Sequence, residues 1–135
     1  MRILFWYCDR MAWTPTSKTL PEAPDGTAGE VKNAIAAYVH LQPSDEERAG
    51  KMETKLVKNI KWLAGKWETK LVVLHSFAHL AEDKADAEFT RGLLSRARTR
   101  LEDAGYDVVE TPFGHFNDLE LSAPGHPLAR IYKEF

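Results

Sequence analysis

Lys70-Leu71-Val72-Val73-Leu74-His75 is the stretch on which the fold turns. Leu71 to Leu74 is an unbroken apolar run with two β-branched residues and no period-2 alternation, the pattern of an interior strand buried on both faces. His75 and Ser76 then stand at its C-terminal end, where open α/β sheets commonly hold ligands. Helical patterns flank it. Upstream, Met52, Leu56, Ile60, Leu63 and Trp67 recur at steps of three and four, which predicts a helix running to about Lys66 with one buried face. Ser44-Asp45-Glu46-Glu47 has capping-box spacing and predicts that this helix starts at Ser44. Gly50 and Gly65 weaken it by about 1 kcal/mol each relative to alanine. Downstream, Phe89, Leu93, Ala97, Leu101 and Ala104 predict a second helix that starts near Asp86 and is stopped by Gly105.

Further out, Ile3 to Tyr7 gives residues 2–8 the character of a buried central strand. Asp9 and Arg10 interrupt it. Met11 to Lys18 reads as a second strand, which Pro15 confines to an edge. Leu20 to Glu30 collects Pro21, Pro24, Gly26 and Gly29, the composition of a surface loop, and Val31 to Leu41 reads as a short strand before Gln42-Pro43. Tyr106–Thr111, Asp118–Ser122 and Ala129–Lys133 are three further short strands. The order ββ-β-α-β-α-β-β-β predicts an α/β or α+β fold with two main helices on a mixed sheet.

A chain of 135 residues fits one domain, here 1–135. With 44% hydrophobic and 28% charged residues it is neither disordered nor a disulfide scaffold. No apolar run approaches the roughly 20 residues of a membrane span, and the run after Arg2 is too short for a signal peptide, so a cytoplasmic protein without membrane association is expected. Cys8 is the single cysteine and reads as a buried structural thiol. A net charge of -2 lacks the bulk footprint of a duplex-DNA binder. The local series Lys51, Lys55, Lys58, Lys61, Lys66 and Lys70, interleaved with Trp62 and Trp67, fits a solvated helix face and leaves RNA contact as the alternative. Of five histidines, His75 and His79 straddle a strand end, where a spacing of four does not bring two imidazoles together, and no third ligand suggests itself. Gly-x-Ser-x-Gly, phosphate-loop and dinucleotide motifs are absent.

The segments Leu74-His75-Ser76-Phe77-Ala78-His79-Leu80, Thr111-Pro112-Phe113-Gly114 and Gly125-His126-Pro127-Leu128-Ala129 resemble, in order and spacing, the N-terminal editing domain of archaeal threonyl-tRNA synthetases. The opening Met1-Arg2-Ile3-Leu4 and Asp9 are similar as well. The resemblance implies the fold of D-aminoacyl-tRNA deacylases, a homodimer, and hydrolysis of serine from tRNA charged for threonine. That activity has a physical rationale, because one missing methyl group gives a synthetic site only about 1–3 kcal/mol against serine, so a second site must remove the error. The implied chemistry is a water attack aided by the terminal ribose 2′-hydroxyl, which requires neither cofactor nor metal nor protein nucleophile.

Carried over by position, Phe77, Ala78 and His79 form the pocket wall, with His79 as the active-site histidine. Leu41 supplies an apolar pocket residue, and Phe116 matches a family aromatic. Two positions depart from the pattern. Asn117 stands where the family has lysine, and Arg130 where it has glutamate, so a rewired Asn117/Arg130 pair becomes the candidate for the missing cation. The leading expectation is a free-standing editing unit, unable to charge tRNA itself, that acts in trans on the acceptor end, with a separate threonyl-tRNA synthetase as a possible partner. The alternatives are a non-catalytic tRNA- or synthetase-binding module and a D-aminoacyl-tRNA deacylase. That last branch uses an adjacent Gly-Pro pair, whereas Gly125 and Pro127 are separated here by His126.

Overall fold

The computed structural model describes Met1–Phe135. The elements are β1 (Arg2–Lys18), β2 (Gly29–His40), a 3-10 segment (Pro43–Arg48), α1 (Ala49–Trp67), β3 (Leu71–Ser76), α2 (Ala87–Asp103), β4 (Asp107–Glu110), β5 (His115–Ser122), a 3-10 turn (Pro127–Ala129) and β6 (Arg130–Glu134). The sheet is mixed, in the order β4-β3-β2-β1-β5, with β6 also on β1. β2, β3 and β4 run parallel, and the ladders of β1 are antiparallel. β6 pairs with Arg2–Trp6 and β5 with Arg10–Lys18, so β5 and β6 lie end to end along one side of β1.

Three readings from the sequence need correction. Arg2–Lys18 forms one strand, because Asp9 points to solvent and the ladder to β2 resumes at Arg10, whose guanidinium forms an ion pair with Glu30 at 2.8 Å. Pro15 is tolerated because pairing with β2 has already ended at Trp13. β2 is a twelve-residue strand that starts at Gly29. Glycine is required there, since a Cβ would lie 2.4 Å from the Trp13 ring. The Ser44 capping box does not form. Asp45 turns inward instead, its carboxylate meeting the Met1 ammonium at 2.8 Å, the Gln42 N–H at 2.8 Å and Arg48 at 2.8 Å, and α1 follows a 3-10 segment.

The rest of the helical reading holds. Asp86 caps α2, its carboxylate accepting from the N–H groups of Glu88 and Phe89, and Gly105 follows with φ +91°. Both helices bury their apolar stripes on one face of the sheet, where Phe5, Ile35, Leu56, Ile60, Leu93 and Leu101 belong to one cluster. Each such side chain contributes about 1.5–3 kcal/mol. Trp67 ends α1 by stacking on Tyr7 at 3.9 Å and donating to the Leu128 carbonyl. The opposite face holds a smaller cluster around Cys8, Met11, Trp13 and Tyr38. Odd-numbered residues of β1 face the helices up to Tyr7, but Met11 and Trp13 belong to the other cluster. The change falls at Asp9, across from Asn33, which is left-handed at φ +54°.

Candidate active site

Because β2 and β3 are parallel, their C-terminal ends lie side by side, with Val39 opposite Ser76. The Phe77 N–H extends this ladder by donating to the Val39 carbonyl at 2.9 Å. The chain then turns sharply, the His79 N–H donating to the Phe77 carbonyl. Beyond the turn, the end of β2 holds the returning segment. The Leu80 N–H donates to Nδ1 of buried His40 at 2.9 Å, and His40 Nε2 lies 2.7 Å from the Asp83 carbonyl. Serving both partners requires the neutral tautomer with its proton on Nε2. The Arg2 guanidinium donates to the Leu80 carbonyl, Gln42 Nε2 to the Asp83 carboxylate, and the Ala85 N–H to the Leu41 carbonyl.

Against this segment lies a cavity of about 310 Å³. Leu41, Phe77, Ala78, His79, Phe116 and Asn117, six of the residues expected from the sequence, line it together. Arg130 does not. Its guanidinium donates to the Pro124 carbonyl at 2.6 Å and lies over the Trp6 ring. Pro112, Phe113 and Gly114 of the second quoted motif are also in the wall. Gly114 has φ +76°, and a Cβ there would meet Ala23 at 2.9 Å, so this turn admits only glycine without strain.

Two further lining residues, His75 and Lys84, were given no role in the site from the sequence. His75 is buried, with Nδ1 2.7 Å from Thr111 Oγ1 and its ring 4.7 Å from that of Tyr38. Burial, and secondarily the charge of His79, pushes its imidazole down to about 4, so it is neutral at ordinary pH. Its place at a strand end was the available signal. Lys84 sits in a polar stretch with no motif to mark it, and only the fold brings it to the cavity. The lining has no aspartate or glutamate. Asn117 donates weakly to the His115 carbonyl at 3.4 Å, and its buried Oδ1 has no partner. Cys8 is remote, in the opposite cluster, and burial followed by the Asp9 charge pushes its thiol up to about 12. It is therefore no nucleophile. No three His, Cys, Asp or Glu side chains are grouped so as to hold a metal ion.

The model of the archaea-specific editing domain of threonyl-tRNA synthetase matches residues 1–135. The chain belongs to that family. It is 32% identical over 133 residues to the threonine–tRNA ligase of Methanopyrus kandleri, covering 97% of this chain and 21% of that protein. With the ligase of Cenarchaeum symbiosum it shares 30% over 134 residues (98% and 21%), and with that of Thermococcus kodakarensis 27% over 135 (97% and 22%). The chain thus spans about a fifth of the length of these relatives. Among solved structures it is similar to the c-Myc DNA Unwinding Element Binding Protein, with a TM-score of 0.68 at 12% identity over 100% of this chain and 99% of that one. At that identity the likeness establishes the fold alone, the D-aminoacyl-tRNA deacylase-like mixed α/β fold. In this editing-domain chain no helix is long and apolar enough to cross a membrane.

Proposed function

We propose that this editing domain hydrolyses the ester of a mischarged aminoacyl-tRNA, with seryl-tRNA(Thr) as the preferred substrate. The observation that carries the reading is the cavity at the ends of β2 and β3, which gathers six expected residues and is small enough to select by side-chain size. Its volume is at the low end for ligand sites, suited to an aminoacyl group with part of the terminal ribose. Leu41, Phe77 and Ala78 give an apolar wall for the amino-acid side chain. Neutral His75, His79 and the Asn117 amide offer hydrogen bonds to the ester, the amino group and water. The water oxygen adds to the carbonyl carbon while the carbonyl electron pair moves onto its oxygen. The intermediate collapses by breaking the bond to the ribose oxygen, and the water proton ends on that departing oxygen by way of the neighbouring 2′-hydroxyl.

A homodimer fits the same reading. Tyr132 and Phe116, on β6 and β5, are 47% and 55% exposed, and the buried Trp6 Nε1 on the adjoining β1 has no partner. The test is deacylation of Ser-tRNA, Thr-tRNA and a D-aminoacyl-tRNA by the purified 135-residue chain. Seryl ester loss should be the fastest and well above the buffer rate. Loss of all three at the buffer rate, with tRNA binding retained, replaces the enzyme by a tRNA-binding module. That second reading draws its support from the amide at position 117.

A further inference from the structure

Lys84 is the only lysine or arginine lining the cavity, and no carboxylate shares the lining with it. Neither flanking aspartate forms an ion pair with it. The Asp83 carboxylate accepts from Gln42 Nε2 at 3.0 Å, and the Asp86 carboxylate caps α2. The only lysine of the chain in an ion pair is Lys18, with Asp25. Nor is the backbone at this position free to swing away. The preceding carbonyl, of Asp83, is bound by His40 at 2.7 Å, and the following N–H, of Ala85, donates to the Leu41 carbonyl at 2.8 Å. A lysine is thus carried on a clamped stretch of backbone in the lining of the cavity.

A cation without a counter-ion, held beside a neutral pocket, has its largest effect on a charge that appears only during reaction. We propose that Lys84 is the catalytic cation of this site, pairing with the oxyanion that forms when water adds to the aminoacyl carbonyl, and that His40 is the positioning residue that keeps it there. The proposal rests on the deacylase reading. The ground-state ester is uncharged at the carbonyl, so Lys84 contributes to turnover rather than to substrate affinity.

The test compares wild type with Lys84→Ala and Lys84→Arg on Ser-tRNA, and measures binding of two 3′-adenosine analogues, an anionic seryl phosphonate and a neutral seryl amide. Loss of one preorganised charge donor typically lowers the rate about 10²–10³-fold. Lys84→Ala should lower kcat by that order with KM within about threefold, and Lys84→Arg should restore most of it. Lys84→Ala should also weaken the phosphonate by about the same factor and leave the amide unchanged. His40→Gln should reproduce the kcat loss in part. A kcat unchanged in Lys84→Ala overturns the proposal, as does a raised KM at constant kcat, which would make Lys84 a phosphate anchor. Should wild type fail on every ester, the deacylase reading falls, and the analogue pair judges Lys84 alone: equal phosphonate binding by wild type and Lys84→Ala overturns it.

Discussion

Two polar clusters flank the end of β2, and they are finished to different degrees. Around Asp45, which is fully buried, the carboxylate meets the Met1 ammonium, the Gln42 N–H and Arg48, while Phe135 closes the group through its N–H to the Met1 carbonyl. On the other side, in the cavity, the buried Asn117 Oδ1 has no partner, and Lys84, which is exposed, forms no ion pair. Buried polar groups left unmatched are costly, so a saturated cluster is what stability alone produces. An unsaturated one is retained where a ligand supplies the missing partners. The first cluster should therefore answer to stability measurements and the second to turnover.

The largest effect is expected from Asp45→Ala. Burial alone would raise this carboxyl, but the terminal ammonium, the Gln42 N–H and Arg48 outweigh it and hold it below the usual carboxylate range. Its contribution is thus present above that range and lost as the pH falls through the lowered value. Removing the carboxylate leaves the Met1 ammonium buried and unpaired, which typically costs about 3–5 kcal/mol. Urea unfolding at pH 7 should show that loss in the midpoint with little change in slope, while the kcat of the still-folded fraction stays at the wild-type value. A loss below about 1 kcal/mol would show that the ammonium reaches solvent.

Next in size is His75, which tests whether a cavity group can also weigh on stability. Its folded value of about 4 lies below the ordinary 6.5, so between these pH values the unfolded chain takes up a proton that the folded chain refuses. Stability should fall as the pH drops from about 6.5 to about 4 and gain nothing further from this group below that. A depression of this size corresponds to about 3 kcal/mol. Unfolding curves at pH 7, 6, 5 and 4 should show the decline in wild type and a much flatter course in His75→Gln. Parallel curves would assign the decline to the carboxylates.

The fold was legible wherever an element announces itself through its own residues. The apolar run at Leu71–Leu74, the three- and four-residue steps of both helices and the Asp86 cap required no partner to be read. The errors fall where a distant contact decides. Asp9-Arg10 looked like a break because the partners of Arg10, Glu30 and Glu120, lie on other strands. Ser44 looked like a cap because Met1, which draws Asp45 inward, is 44 residues away. The site divides the same way. Residues after β3 and at the start of β5, with Leu41 after β2, were marked by the family resemblance, and six of them meet in one cavity. Lys84 and His40 were not, since their roles arise from hydrogen bonds between the end of β2 and a polar segment about 40 residues later.

The smallest effects separate two residues that the sequence joined. Asn117 lies in the cavity wall with a buried, unpartnered amide oxygen, whereas Arg130 packs over Trp6 and donates to the Pro124 carbonyl outside it. If one chain holds the complete site, Asn117→Ala should lower kcat on Ser-tRNA about tenfold, the worth of one good hydrogen bond in the transition state, and change stability by about 1 kcal/mol or less. Arg130→Ala should then change kcat less than about threefold, since an exposed guanidinium over an aromatic ring contributes only about 0.5–1 kcal/mol, and that to stability. The reverse order, a large kcat loss in Arg130→Ala with Asn117→Ala near wild type, would mean that Arg130 reaches a cavity other than its own. A mixed dimer decides that case. Combining an Arg130→Ala subunit with a His79→Ala subunit restores activity in one of the two cavities only if the arginine is donated across the interface, because each cavity then draws its histidine and its arginine from different chains.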